Sequence, residues 1–246
     1  MHVALFIPCY IDQFYPRVAI ASLALLEKLG CTVTYPADQT CCGQPMANAG
    51  FEKESLGVMR LFVDTFASCD YIVAPSGSCV LHVREHFAAL EQNGMVQHVR
   101  QRIYELCEFI VDLLHVDRLD AAFPHRVGVH ASCHGLRGLR LGHASERNAP
   151  DFNKVRRLLR LVEGIDLVEL DRPDECCGFG GTFAVTEEAI SVKMGRDRLH
   201  DHVRHGTEVI TGTDMSCLMH LDGLIRREQL PLRVMHVAEI LHGGAA

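Results

Sequence analysis

Thr40-Cys41-Cys42-Gly43-Gln44-Pro45 sets the reading of this chain, because it returns as Glu175-Cys176-Cys177-Gly178-Phe179-Gly180-Gly181. Adjacent cysteines followed by glycine are uncommon, and two copies framed by further cysteines imply a duplicated site. The agreement spreads outward. Val3 stands six residues before Cys9, and Val127 six before Cys133. Val33 stands eight before Cys41, and Val168 eight before Cys176; Ile72 stands seven before Cys79, and Ile210 seven before Cys217. Ser78 matches Ser216, and Glu108-Phe109-Ile110 matches Glu239-Ile240-Leu241. This register predicts an internal duplication with repeats over 1–120 and 121–246. A period that long means two domain-sized halves, not a solenoid.

The local patterns place the cysteines. Strands are expected at 3–7, 32–35 and 71–74, then at 126–130, 166–170, 208–211 and 232–235. Helices are expected at 17–29 (with Pro16 as its start and Gly30 as its stop), 51–66, 80–91, 95–114, 153–162, 187–205 and from Cys217 to about 229, with a short one at the end. Strands alternating with helices predict an α/β fold. Each half is a mostly parallel sheet flanked by helices. Open α/β sheets bind at the carboxyl ends of their strands. Cys9, Cys79, Cys133 and Cys217 each follow a strand, and the two Cys-Cys pairs follow one by a short loop. Each half therefore gathers four cysteines at one sheet edge.

Composition narrows the class. The chain has 246 residues, 48% hydrophobic and 22% charged, with a formal net charge of −7. That supports a packed core and argues against nucleic-acid binding, which needs a basic face. No apolar run reaches the length of a membrane span. The apolar start reads as a first strand and not a signal peptide. Eleven cysteines in a chain of this size fit reduced, cytoplasmic thiols serving as metal ligands or redox groups better than a disulfide scaffold.

Four converging thiolates repel one another unless a cation sits among them. All-sulfur sites select zinc or iron–sulfur centres. Structural zinc favours paired CxxC knuckles, and the arrangement of one cysteine, an adjacent pair and one more favours a larger iron–sulfur cluster. The glycine after each pair permits the tight turn that both side chains need to converge.

Together with Pro8-Cys9-Tyr10-Ile11-Asp12, Pro75-Ser76-Gly77-Ser78-Cys79, Ser132-Cys133-His134-Gly135-Leu136-Arg137 and Asp214-Met215-Ser216-Cys217-Leu218-Met219-His220, the pattern resembles the duplicated cysteine-rich CCG domain family over nearly the whole chain. That family includes the cysteine-rich component of heterodisulfide reductase and the glycolate oxidase iron–sulfur subunit, and the match is strongest to its lactate-utilization branch. The resemblance implies an iron–sulfur electron-transfer subunit of a complex oxidising L-lactate to pyruvate. It implies one cluster per repeat, of 4Fe-4S type, on Cys9, Cys41, Cys42 and Cys79 and on Cys133, Cys176, Cys177 and Cys217. The implied partners are a ferredoxin-type iron–sulfur protein and a third subunit. The chain itself has no ferredoxin-type cysteine run, GxGxxG or P-loop, which is consistent with that division of labour.

One departure matters. The fuller family pattern closes each repeat with CxxC, and here Ser76 and Asp214 replace the first of those cysteines. A conventional four-iron cluster, a cluster with an oxygen ligand, and a site that has lost its cluster are all open. His82 and His220 each lie three residues after the last cysteine of their repeat. They are candidates for ligation, hydrogen bonding to sulfur or proton movement, against an ordinary helix-face role. His134 is a weaker candidate, and His86 reads as surface. Arg137 and Arg140 are candidates for holding a carboxylate, against a solvated loop. Cys31, Cys69 and Cys107 have no counterparts in the other repeat and read as buried small hydrophobes. Two other functions compete with electron transfer: thiol–disulfide exchange at the vicinal cysteines, and a zinc-stabilised binding module.

Overall fold

A computed structural model describes residues 1–150 and 152–243. The chain divides into two compact units, Met1–Leu114 and His115–Ala246. The first runs β1 (His2–Leu5), α1 (Cys9–Phe14), α2 (Pro16–Lys28), β2 (Thr32–Thr34), α3 (Gln44–Asn48), α4 (Glu52–Phe66), β3 (Ile72–Ala74), α5 (Gly77–His86), α6 (Gly94–Arg102), β4 (Ile103–Glu105) and α7 (Leu106–Asp112). The second runs β5 (Arg126–Val129), α8 (Lys154–Leu159), β6 (Asp166–Leu167), α9 (Phe183–Thr186), α10 (Glu188–Arg204), β7 (Val209–Gly212), α11 (Met215–Glu228), β8 (Arg233–His236) and α12 (Val237–His242). Each unit holds one all-parallel sheet, ordered β2-β1-β3-β4 and β6-β5-β7-β8. The α/β fold with two repeated halves is therefore what the sequence indicated.

Helices covering both faces explain the apolar strands. Ile72, Val73 and Ala74 of β3 are all buried, as parallel sheets require. Pro16 occupies the first turn of α2, whose buried Val18, Ala21, Ser22, Leu25 and Leu26 recur at helical spacing. Gly30 ends it with φ of 84°. Among the described residues, no helix is long and apolar enough to cross a membrane.

The single helix expected over 95–114 is instead α6, β4 and α7. Ile103, Tyr104 and Glu105 pair with the edge of β3. That ladder outweighs local helix propensity. A capping box then starts α7: Glu105 accepts from the Glu108 N–H and Glu108 from the Glu105 N–H. Arg84 holds the Glu108 carboxylate at 2.7 and 3.0 Å. The second unit repeats the device after β8, with a capping box between His236 and Glu239. The helix expected at 80–91 begins at Gly77 and ends at His86, followed by a 3₁₀ turn at Phe87–Ala89. The strand expected at 166–170 shrinks to two residues. Short helices α1, α3 and α9, and a π turn at His134–Gly138, occupy stretches with no predicted element.

The cores differ more than the folds. Ser55 and Ser191 occupy the same place on α4 and α10, each packed beneath the glycine of its Cys-Cys-Gly turn. Phe62 and Phe66 lie seven and eleven residues beyond Ser55; Arg198 and His202 lie seven and eleven beyond Ser191. Phe6 stands three residues before Cys9, and His130 three before Cys133. All six side chains are buried. In the first unit Phe6 meets Phe62 at 4.8 Å and Phe66 at 5.8 Å, and Phe62 lies 4.6 Å from Phe66. In the second unit these three positions are polar.

Candidate metal centre

The sheet order places the cysteines together. In the first unit, β1 has β2 on one side and β3 on the other, so the connections leaving β1 and β3 diverge and open a crevice at their carboxyl ends. Cys9 begins α1 directly above β1. Cys79 is the third residue of α5, above β3. The loop after β2 brings in Cys41 and Cys42. The second unit repeats this at the β5/β7 crevice, with Cys133 before the π turn, Cys217 as the third residue of α11, and the loop after β6 carrying Cys176 and Cys177.

Both glycines turn as the spacing requires. Gly43 and Gly178 have φ of 89° and 88°, in the left-handed region. Their N–H groups donate back to the first sulfur of each pair: Gly43 to Cys41 Sγ and Gly178 to Cys176 Sγ, both at 3.4 Å. The turns differ in their surroundings. A β-carbon on Gly43 would meet nothing closer than 3.6 Å, whereas one on Gly178 would lie 2.5 Å from the Ser191 carbonyl.

Cys9 Sγ lies 3.6 Å from Cys41 Sγ. Hydrogen bonds from Cys42, then Cys9, with help from the Gly43 N–H, pull the Cys41 thiol down to about 3. Cys42 is pushed the other way by its contacts with Cys41 and Cys79 and by full burial. Cys9 is also raised, first by its bond to Cys41. The second unit repeats the alternation. Cys133, then Cys177, lower Cys176 to about 2. Cys177 is raised by contact with Cys176 and Cys217, and Cys133 by contact with Cys176. Each site is thus a chain of sulfurs in which one thiolate is held by protons on its neighbours. A metal cation would replace those protons. The sites are graded in depth: Cys42 and Cys79 are buried in the first, Cys177 in the second, while Cys133 is exposed. The donor set fits zinc or an iron–sulfur centre.

The remaining candidates separate. Ser76 caps α5 by accepting from the Cys79 N–H at 3.3 Å, and its hydroxyl lies 3.2 Å from that of Ser78. Asp214 precedes α11 and accepts a short hydrogen bond from the Ser132 hydroxyl, which also accepts from the Gly135 N–H at 3.1 Å. Ser76 thus caps the helix that carries Cys79, and Asp214 ties the loop before Cys133 to the start of α11.

His82 and His220 fall on the second turns of α5 and α11. His82 is buried, stacked on His86 at 4.9 Å and edge-on to Phe87. His220 is half-buried and lies 6.2 Å from the Phe179 ring, and burial lowers its basicity. His134 is exposed, beside the equally exposed Cys133. Arg137 is committed to Glu146 at 2.8 and 3.0 Å and to Asp174 at 3.2 Å. Arg140 sits on the exposed loop with φ of 57°. Cys31 and Cys107 are buried, but Cys69 is only half-buried.

Sequence reasoning missed His130. It directly follows β5 and is 2% exposed, and neither ring nitrogen has a hydrogen-bond partner among the described residues. One ring nitrogen lies within 4.8 Å of Cys177 Sγ and Cys217 Sγ. Burial, reinforced by the nearby Arg198 guanidinium, lowers its pKa to about 3 and keeps it neutral. Its signal in the sequence was the mismatch with Phe6 at the same repeat position. Arg198 itself is fully buried, donates to the Arg172 carbonyl, and lies 3.4 Å from the Asp201 carboxylate.

Comparison with known proteins agrees with this architecture. A family model described as a cysteine-rich domain, CCG, matches twice, at residues 3–84 and 127–222. Lactate utilization protein A of Exiguobacterium sp. is 40% identical over 99% of this chain and 98% of its own length. The protein of that name from Geobacillus thermodenitrificans is 39% identical over 98% and 99%. Among solved structures, a hypothetical protein from Helicobacter pylori superposes with a TM-score of 0.52 at 11% identity. It covers all of this chain, which spans 49% of that longer one, and shares the fold alone. With both cysteine-rich domains matched and near-complete coverage of such relatives, the chain belongs to the lactate utilization protein A family of duplicated CCG proteins.

Proposed function

We propose that this protein is an iron–sulfur electron-transfer subunit of a multi-protein system that oxidises L-lactate to pyruvate, with one centre in each repeat (1–120 and 121–246). The observation that carries it is the convergence of four sulfurs at each sheet switch point, with Cys9 and Cys41 only 3.6 Å apart. The names of the relatives supply the lactate system. When bound, an iron–sulfur centre supplies reversible one-electron transfer. The chain's own residues do the rest. Cys9, Cys41, Cys42 and Cys79, and Cys133, Cys176, Cys177 and Cys217, hold the centres. The Gly43 and Gly178 N–H groups donate to sulfur, which stabilises added negative charge. Burial of Cys42 and Cys177 excludes water from one side, and exposure of Cys133 leaves a short path for electrons. Ser76 caps α5 and Asp214 holds the loop before Cys133, and in this reading neither is a ligand.

In this reading the substrate chemistry belongs to partners, a ferredoxin-type iron–sulfur protein and a third subunit, in the cytoplasm. The test is anaerobic purification with measurement of iron, acid-labile sulfide and zinc, followed by addition of L-lactate and the partner proteins. The expected result is a brown protein whose visible absorbance bleaches only when lactate and partners are both present. Zinc without iron contradicts the proposal.

Thiol–disulfide exchange is the second reading, favoured by the thiolate character of Cys41 beside Cys9. In that case two cysteine thiols become one disulfide while a substrate disulfide yields two thiols. It predicts that metal-free protein reduces a disulfide and that alkylation stops it. Inert metal-free protein excludes it.

A further inference from the structure

In the first unit, Phe6 stands three residues before the first cysteine and packs against Phe62 and Phe66. The second unit has a histidine where Phe6 stands, although a phenylalanine is compatible with the fold at that place. A buried imidazole with no hydrogen-bond partner at either nitrogen is unfavourable on its own. A metal bound beside the ring would give one nitrogen a partner. The ring faces Cys177 and Cys217, with one nitrogen within 4.8 Å of both sulfurs. A thiolate and an imidazole bond a metal at about 2.3 and about 2.0 Å, so small side-chain adjustments bring all three onto a common centre. Its backbone is fixed for this: the His130 N–H donates to the Thr211 carbonyl at 2.7 Å, locking it between β5 and β7.

We propose that His130 is a nitrogen ligand of the metal centre in the second unit, which is therefore a mixed cysteine/histidine site, where the first unit carries Phe6 at the equivalent position. This rests on the reading that the second unit holds an iron–sulfur centre. The two centres are then chemically distinct. A neutral imidazole adds no negative charge, so the second site binds an electron more readily than a site completed by a further thiolate.

The test uses full-length protein, purified without oxygen and carrying ¹⁵N-histidine, reduced and examined by pulsed electron paramagnetic resonance. The expected result is a histidine nitrogen coupling. It disappears in His130→Phe, and in His130→Gln should phenylalanine beside Arg198 disturb folding, and it persists in His220→Gln. Iron and sulfide without nitrogen coupling, or coupling that survives both His130 substitutions, overturns this inference and leaves the electron-transfer reading standing. Absence of iron and sulfide overturns both.

Discussion

The two units answer one design problem in two ways. They share strand order, the Cys-Cys-Gly turn, the capped last helix and the four-sulfur edge. Yet three matched buried positions are Phe6, Phe62 and Phe66 in one and His130, Arg198 and His202 in the other. Aromatic packing stabilises without conditions. The polar version must satisfy a buried guanidinium, and it does so incompletely: Nη1 reaches the Arg172 carbonyl and Asp201, while Nε and Nη2 find no hydrogen bond among the described residues. Asp201 also accepts from the N–H groups of Asp171 and Arg172 at 3.3 and 3.1 Å, in the loop leading to Cys176. The polar layer thus anchors the cysteine loop. The contrast shows that a duplicated fold tolerates opposite chemistries at equivalent buried positions, even where the polar layer is only partly paired.

The comparison breaks most sharply at Asp201. Asp201→Ala removes the carboxylate nearest the buried Arg198, leaving only the weaker influence of Glu175 and Asp174, and is expected to cost about 3–5 kcal/mol. The denaturation midpoint of the second unit should fall, and Arg198→Met in the same chain should recover part of the loss. Phe62→Ala at the position matching Arg198 removes only packing, also at about 3–5 kcal/mol, and no compensating partner change restores it. If Asp201→Ala is harmless, the buried ion pair is not what holds the second unit.

The glycine turns come next. Gly178→Ala adds a backbone clash to an unfavourable left-handed φ and is expected to cost about 2–4 kcal/mol. Gly43→Ala meets no close contact and carries only the conformational penalty of about 1 kcal/mol. Equal losses in thermal unfolding contradict the difference in packing.

Acid separates the units further. In metal-free protein, burial lowers His130 to about 3 and His202 to about 2, whereas an unfolded histidine titrates near 6.5. The unfolded chain then binds more protons than the folded one, so stability falls as pH drops below about 6.5. Between pH 7 and pH 5 each histidine is expected to cost the second unit about 2 kcal/mol. Hydrogen exchange should show β5, β7 and β8 losing protection on acidification, and His202→Gln should reduce that loss.

The smallest effect belongs to Ser76, whose cap on α5 is worth about 1 kcal/mol. Ser76→Ala is expected to lower stability by that amount while leaving the iron content of the purified protein unchanged. Loss of iron makes the hydroxyl a ligand.

Much of this was legible in the sequence because the duplication supplied an internal comparison. The strand registers leading to Cys9, Cys41 and Cys79, and to their counterparts, were enough to place the cysteines at one sheet edge. β4 was lost because Ile103-Tyr104-Glu105 is only three residues between two helices. The matching of Glu108-Phe109-Ile110 to Glu239-Ile240-Leu241 already implied a strand before it, as at Arg233–His236. Arg198 and His202 were invisible because polar residues on a helix normally face solvent. Only their register with Phe62 and Phe66, set by Ser55 and Ser191, shows that they point inward.

Anaerobic iron and sulfide analysis of Cys42→Ser, Cys177→Ser and the double substitution tests the two-site account most directly. Each single change is expected to remove about half of the iron and leave the other unit's signal intact, and the double change to remove all of it. Wild-type protein carrying zinc but no iron, or single changes that leave iron content untouched, would contradict it.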